Sequence, residues 1–355
     1  MLWTRSDQAR RCLLRNVEQS FEIETMGCEI RMKVTVFGAG AIGGWIGARL
    51  AKSGVSINVI ARGNTFEALR SNGLTLISNG ERLQASVNVE CDAARLGVQD
   101  LVVLAVKAPA LRDAAAQMKP LLGPDMVVVA AMNGVPWWFF HRFGDSLAGT
   151  QIESVDPGGA IARAIPPRQV VGCVVHAACI LEAPAVINQV SGNKLILGEP
   201  SGGYTSRVRS LVDLFNSAGI ETHASSQIQN DVWYKLWGNL CINPISALTG
   251  ATVDRIIADS DLRELLTRMM LEARTLGRRL GVSIDESPER RLQLLGSLGA
   301  FKSSMLQDAD AGRKIELDAL VGAVSELGRL AGVPTPTIDA ILSLTRVNAQ
   351  MRGLY

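Results

Sequence analysis

KVTVFGAGAIGGWIGARLAKSGVSINVIAR, residues 33–62, decides the fold. KVTVF is a short apolar strand. GAGAIG follows, and GWIGARLAKSG then carries helical spacing up to Gly54, where a helix commonly ends on a left-handed residue. VSINVIAR is the next strand. The spacing predicts a strand–helix–strand unit with G-x-G-x-x-G at its first turn: Gly38, Gly40 and Gly43, with Ala39, Ala41 and Ile42 between them. Gly38 permits the tight turn, Gly40 lets backbone approach a pyrophosphate, and Gly43 lets the helix pack on the strand. The free N–H groups of the helix start then face the phosphates. The strand before and helix after favour a dinucleotide site; a glycine-rich turn of some other α/β protein is the plainer alternative.

The end of the second strand reads the ribose. An NAD site offers Asp or Glu there, but this chain offers Arg62, with no acid before Glu67. A guanidinium binds a 2′-phosphate through paired donors, whereas a carboxylate repels it. NADP is therefore expected; a solvated loop arginine is the plainer alternative. GLTLIS and ASVNVEC suggest a hairpin-like excursion. LVVLAVKA (101–108) and MVVVAAMNG (126–134) are buried parallel strands by their continuous apolar runs. Lys107 and Asn133 lie where ligands bind, beyond strand carboxyl ends. Either is also readable as a turn residue, Asn133 especially, since Gly134 follows it. Trp137 and Trp138 either line a cleft or pack away from it.

After about residue 226 the β pattern stops and amphipathic helical patterns take over, at 228–249, 259–281, 286–299, 313–331 and 336–348. The expected fold class is α/β, a Rossmann-type dinucleotide-binding domain (32–226) followed by an all-helical substrate and catalytic domain (227–355). The cleft lies between them. The first of these helices, VWYKLWGNLCINPISALTG (232–250), carries Lys235, Asn239 and Asn243 four apart, on one face of an otherwise apolar segment. From spacing alone the stripe is either a polar site or an outward-reaching lysine with amides satisfying helix ends near Pro244. Glu316 reads on its own as a surface or capping carboxylate, and Asp308 and Asp310 as solvated turn residues.

Composition narrows the function class. The chain has 355 residues, 47% apolar and 20% charged, with net charge +2. That gives no electrostatic case for nucleic acid or an anionic membrane. The longest apolar runs fall far short of a membrane span of roughly 20 residues. Six scattered cysteines without a C-x-x-C pair suit a reducing cytoplasm better than a disulfide framework, and three separated histidines argue against a metal site. Residues 1–31 hold five Arg and five acidic residues and no long apolar core, unlike either a secretory or a transit peptide. They read as a disordered extension or a misassigned start, with Met32 just before the first strand.

GAGAIG, AVKA, the NG pair, K-x3-N-x3-N-P at the junction and SSMLQD-x7-E, in that order over 32–350, make the chain resemble the ketopantoate reductase family, the 2-dehydropantoate 2-reductases. The resemblance implies NADPH-dependent reduction of 2-dehydropantoate, a small 2-oxo acid, to (R)-pantoate on the route to pantothenate and coenzyme A. It implies Lys235 as proton donor, Glu316 close to that lysine and the cofactor, and Asn133, Asn239 and Asn243 on the substrate. It also implies Ser304 on the substrate carboxylate. Gly38 to Gly43, Arg62, Lys107, Asn133 and Ala178 correspond to cofactor contacts. Two departures are visible: a family asparagine about ten residues beyond Asn243 is missing from TGATVD, and VVHAACILEAPAVINQVSGNKLILGEP (174–200) is a divergent version of the last part of the first domain. Both keep open a paralogue acting on another branched 2-oxo acid. A non-catalytic NADP-binding regulator leaves the lysine–asparagine stripe unexplained. The many apolar positions of the helical half are compatible with a homodimer.

Overall fold

A computed structural model describes residues 32–297 and 299–355; the lead segment 1–31 lies outside the described residues. The strand–helix–strand start is β1 (Val34–Phe37), α1 (Ala41–Lys52) and β2 (Ile57–Ile60). There follow α2 (Gly63–Asn72), β3 (Leu74–Ser78), β4 (Glu81–Ala85), β5 (Asn88–Glu90), β6 (Leu101–Leu104), α3 (Leu111–Gln117) and β7 (Val127–Ala131). The sheet half closes with α4 (Ala160–Ala164), β8 (Val170–Ala183), β9 (Val186–Gly198), α5 (Ser206–Ser217) and β10 (Glu221–Ser225). All ten strands form one sheet in the order β4-β3-β9-β8-β7-β6-β1-β2-β5, with β10 also on β9. From β5 to β8 the strands are parallel. β8 and β9 then form a long antiparallel hairpin whose ladder is bulged around Ala178. The chain runs from β1 outward to β2 on one side and back to β6 on the other. That reversal opens the crevice where α/β sheets bind ligands.

The hairpin-like excursion is present, but the partner of LTLIS is ERLQA rather than ASVNVEC. The turn between them is Asn79–Gly80, both at positive φ, as a two-residue hairpin turn matching strand twist requires. The NVE segment instead adds to β2 in parallel as the sheet edge.

Both sheet faces are buried, which is why the inner strands are apolar without alternation. On one face Trp45, Ile46 and Leu50 of α1 and Val208, Leu211 and Phe215 of α5 cover Val34, Val36, Val103, Val129 and Val171. Burying each such large side chain is worth about 1.5–3 kcal/mol. On the other face Val102, Leu104, Val128 and Val174 join one core with the helical half. Trp137 and Trp138 belong to that core, and the Trp137 indole donates to the Ile165 carbonyl at 3.2 Å.

The helical half comprises α6 (Ile228–Thr249), α7 (Val253–Ala258), α8 (Ser260–Leu280), α9 (Pro288–Gly296), α10 (Ser304–Asp310), a π-helical turn (Asp318–Gly322), α11 (Ala323–Ala331) and α12 (Pro336–Met351). The short α7 and α10 carry too few residues to show periodicity. α6 is the hub, with Trp233 and Trp237 donating to the α8 carbonyls of Ala273 and Met270 at 3.1 and 2.8 Å. Buried Gln229 donates to the Phe139 and Pro200 carbonyls, tying α6 to the sheet half. A backbone bond from Val135 N to the Ala319 carbonyl, 2.8 Å, links the halves again.

One contact fixes how α1 meets β1. A Cβ on Gly43 would stand 2.0 Å from the Gly38 carbonyl oxygen, inside any tolerable separation. Gly43→Ala is therefore expected to cost about 1–3 kcal/mol of stability by overpacking. Urea denaturation should show a lower midpoint with an unchanged slope; an unmoved midpoint would mean that α1 can shift freely.

Candidate functional site

The glycine turn presents an anion cradle. Gly38 sits at φ +101°, where a Cβ would come within 2.8 Å of the Ala105 carbonyl oxygen. Gly40 is the N-cap of α1, and a Cβ built on it meets nothing within 4 Å. α1 has no acidic residue in its first turn and no side chain capping its free N–H groups. An open cradle in front of uncapped donors fits a dinucleotide pyrophosphate. Arg62, exposed at the end of β2, is the N-cap of α2. The described residues contain no cluster of three or more His, Cys, Asp or Glu able to hold a metal.

Beyond the carboxyl ends of β6 and β7, alongside β8, the two halves meet over one ammonium. Lys235 Nζ donates to Asn133 Oδ1 at 2.7 Å and to the Val175 carbonyl oxygen at 2.6 Å. Register explains why both acceptors reach it: Ala131, the last residue of β7, pairs with Cys173, so Asn133 just past β7 lies level with Val175 within β8. Gly134 is what brings the helical half so close. A Cβ there, at φ +82°, would lie 2.5 Å from the Ala319 carbonyl oxygen. Asn133–Gly134 is thus a turn and a site element together. Charge-assisted hydrogen bonds are each worth about 1.5–3 kcal/mol, and burial of the ammonium opposes them. Burial lowers the Lys235 pKa from the usual lysine range to about 8, offset in part by the charge of Glu316. The Cys173 thiol is itself pushed up to about 12 by burial, so it stays protonated. Next to Val175, His176 is driven down to about 4 by burial and then by the charges of Lys235, Lys194 and Arg291, and is neutral.

Glu316 is not a surface carboxylate: it is 9% exposed. Its Oε1 accepts from the Ala108 backbone N–H at 2.9 Å, joining the start of the π-helical turn region to the segment after β6. Burial raises its pKa, while the Ala108 hydrogen bond and the charges of Lys107 and Lys235 pull it back. Asp308 likewise departs from the expectation of a solvated turn residue. It is 3% exposed and pairs with both Lys107 and Arg313. The Lys107 ammonium therefore faces the helical half, where Asp308 holds it. Asp308 is the residue that sequence reasoning missed: 201 positions separate it from Lys107, and no local pattern records the pairing.

Along α6, Asn239 is half-buried and Asn243 is 4% exposed, with Asn243 Nδ2 at 3.4 Å from Ser304 Oγ. Ser304 is exposed at the start of α10, where the hydroxyl of Ser303, not Ser304, caps the helix by accepting from Leu306 N. Lys235, Asn133, Asn239, Asn243 and Ser304 thus follow one face of α6. Arg62 and Ala178 stand apart from that row. Ala178 lies on β8 opposite Ser191, at the bulge. Bulges of this kind commonly re-aim backbone beside active sites.

The chain and its fold are similar to known proteins. Residues 34–139 match the family described as ketopantoate reductase PanE/ApbA, and residues 227–349 match its C-terminal counterpart. A 2-dehydropantoate 2-reductase of Mesorhizobium japonicum is 49% identical, across 91% of this chain and 100% of its own. A crystal structure named as a candidate ketopantoate reductase from Ralstonia solanacearum MolK2 has a TM-score of 0.89 at 50% identity, covering 92% of this chain and 100% of that one. A PanE/ApbA family ketopantoate reductase from Ralstonia eutropha JMP134 superposes with TM-score 0.78 at 25% identity, over 91% and 100% of the two chains.

The open space at Gly40 separates cofactor binding from folding. Gly40→Ala is expected to unfold at the parent's urea midpoint while its dinucleotide Kd rises about 10-fold or more, because the added methyl displaces the phosphates. Unchanged affinity, read by quenching of protein fluorescence, would place the pyrophosphate elsewhere.

Proposed function

The chain belongs to the ketopantoate reductase family of oxidoreductases, and we propose that it reduces 2-dehydropantoate to (R)-pantoate with NADPH, Lys235 giving the proton. The observation that carries the reading is the Lys235 ammonium, fixed between Asn133 and the Val175 carbonyl at the head of a polar row. We take residues 32–226 as the cofactor-binding domain and 227–355 as the substrate and catalytic domain, with the reaction in the crevice between them.

A dinucleotide held there would supply a hydride to the C2 carbonyl carbon of the 2-oxo acid. Negative charge then develops on the carbonyl oxygen, and the Lys235 ammonium stabilises it and delivers the proton. A pKa near 8 suits this work, since the group is mostly charged at neutral pH yet gives its proton up readily. Both acceptors on Lys235 leave one of its three N–H bonds for the substrate. Glu316 favours the charged lysine through space and, held by Ala108 N, stands beside the cofactor segment around Lys107. Gly38, Ala39, Gly40, Ala41, Ile42 and Gly43 cradle the pyrophosphate. Arg62 reads the 2′-phosphate, which favours NADPH over NADH. Lys107, Asn133 and Ala178 complete the cofactor wall. Asn133, Asn239, Asn243 and Ser304 hold the substrate through neutral donors and acceptors.

The free cysteines Cys91, Cys173, Cys179 and Cys241 suit a reducing compartment, and we place the enzyme in the cytoplasm. No helix among the described residues is long and apolar enough to cross a membrane. One observation favours a second substrate: ten positions beyond Asn243 stands Val253, buried at the start of α7, in place of a polar group. A different branched 2-oxo acid would then be reduced by the same chemistry.

Purified protein is expected to consume NADPH with ketopantoate, and far more slowly with NADH. Lys235→Ala should lower kcat about 10²–10⁴-fold, the usual worth of general acid help, and leave NADPH affinity intact. Equal turnover by the variant and the parent would remove the lysine from the mechanism. Tight NADPH binding without ketopantoate turnover would transfer the reading to another 2-oxo acid.

A further inference from the structure

Glu316 lies in a short segment, 314–319, that bridges the two halves. Toward the sheet half this segment makes two contacts. Glu316 Oε1 accepts from the Ala108 N–H at 2.9 Å, and the Ala319 carbonyl accepts from Val135 N at 2.8 Å. Val135 is two residues beyond Asn133, which accepts from Lys235. The segment therefore touches both the carboxylate that favours the charged lysine and the turn that holds it.

Behind these contacts the packing is incomplete. Asn133, Trp137, Glu316, Asp318, Ala319 and Tyr355 line one cavity of about 310 Å³. A wall that backs on a cavity lacks contact atoms on that side, so directed hydrogen bonds decide its position. Two of them come from the residues that follow α12. Ile315 N, one residue before Glu316, donates to the Leu354 carbonyl at 3.0 Å. Two residues after Glu316, Asp318 accepts from the Tyr355 hydroxyl, 2.9 Å from both of its carboxylate oxygens. Leu354 is 3% exposed and anchors this strap in the core, with its own N–H on the Ala349 carbonyl at 2.8 Å. Arg346 of α12 stands 3.6 Å from Asp318 and lies over the Tyr355 ring at 5.8 Å. Burial, and then the bond to Asp318, raises the Tyr355 pKa, so the phenol keeps the proton it donates. Asp318 also opens the π-helical turn, a rare conformation that is frequent at functional sites.

We propose that residues 354–355 are a positioning strap for the active site: the Leu354 carbonyl on Ile315 and the Tyr355 hydroxyl on Asp318 grip the segment on both sides of Glu316 and hold its carboxylate on Ala108 N. Tyr355 acts through Asp318 and Glu316, not on the substrate. Its effect on turnover rests on the 2-oxo acid reductase reading above.

Tyr355→Phe removes one hydroxyl from a residue that is 39% exposed, so the fold should survive. Exchange of the Ala108 amide hydrogen, which Glu316 protects, should quicken about 10-fold, while the amides of α8 keep the parent's rates. In the same variant kcat/KM for ketopantoate should fall about 3- to 10-fold. In a Glu316→Gln background Tyr355→Phe should cost nothing further, because both changes break one chain of contacts. Unchanged exchange at Ala108 would overturn the strap, whatever happens to the urea midpoint. So would a loss of kcat/KM that multiplies in full with that of Glu316→Gln. A parent protein unable to reduce ketopantoate would overturn the reductase reading instead, and exchange at Ala108 would still decide the strap.

Discussion

The structure depends on one ammonium held at the meeting of two halves. Lys235 comes from the first helix after the sheet, and both of its acceptors come from the sheet half, one just past β7 and one within β8. Nothing local to α6 could hold a charged group in so apolar a helix. The parallel register of β7 and β8 sets Asn133 and Val175 level, and the shared hydrophobic core presses α6 against them. Stability and chemistry are joined here, since the burial that packs α6 also lowers the lysine's pKa toward neutrality.

Close backbone approach makes the geometry possible in two places. Gly43 lets α1 sit on the turn that would carry the phosphates, and Gly134 lets the π-helical turn reach the residue beside Asn133. In both, the side chain that is missing counts for more than any that is present. Around them run the ties between the halves: Glu316 on Ala108 N, Asp308 on Lys107, and Val135 N on Ala319. Each ties the two halves together beside the crevice.

Much of this was legible in the sequence because it is local. The strand–glycine–helix start, the change at residue 226 and the α6 row are written in adjacent residues, and the row's four-residue spacing places Lys235 and the amides on one face. What escaped has a physical cause. ERLQA was passed over as the hairpin strand because its polar, exposed pattern lacks the β-branched signature, although Asn79–Gly80 announced the turn. Asp308 and Glu316 looked like solvated acids because their partners lie some two hundred residues away.

The central claim, a buried lysine acid tuned by its surroundings, is tested most directly by kcat/KM for ketopantoate reduction between about pH 6 and about pH 10. Lys235 works in its protonated form, so the account predicts activity that is level at low pH and is lost as pH rises through about 8. Activity that stays level to about pH 10 would contradict it, because a lysine depressed by burial could not then be the proton donor.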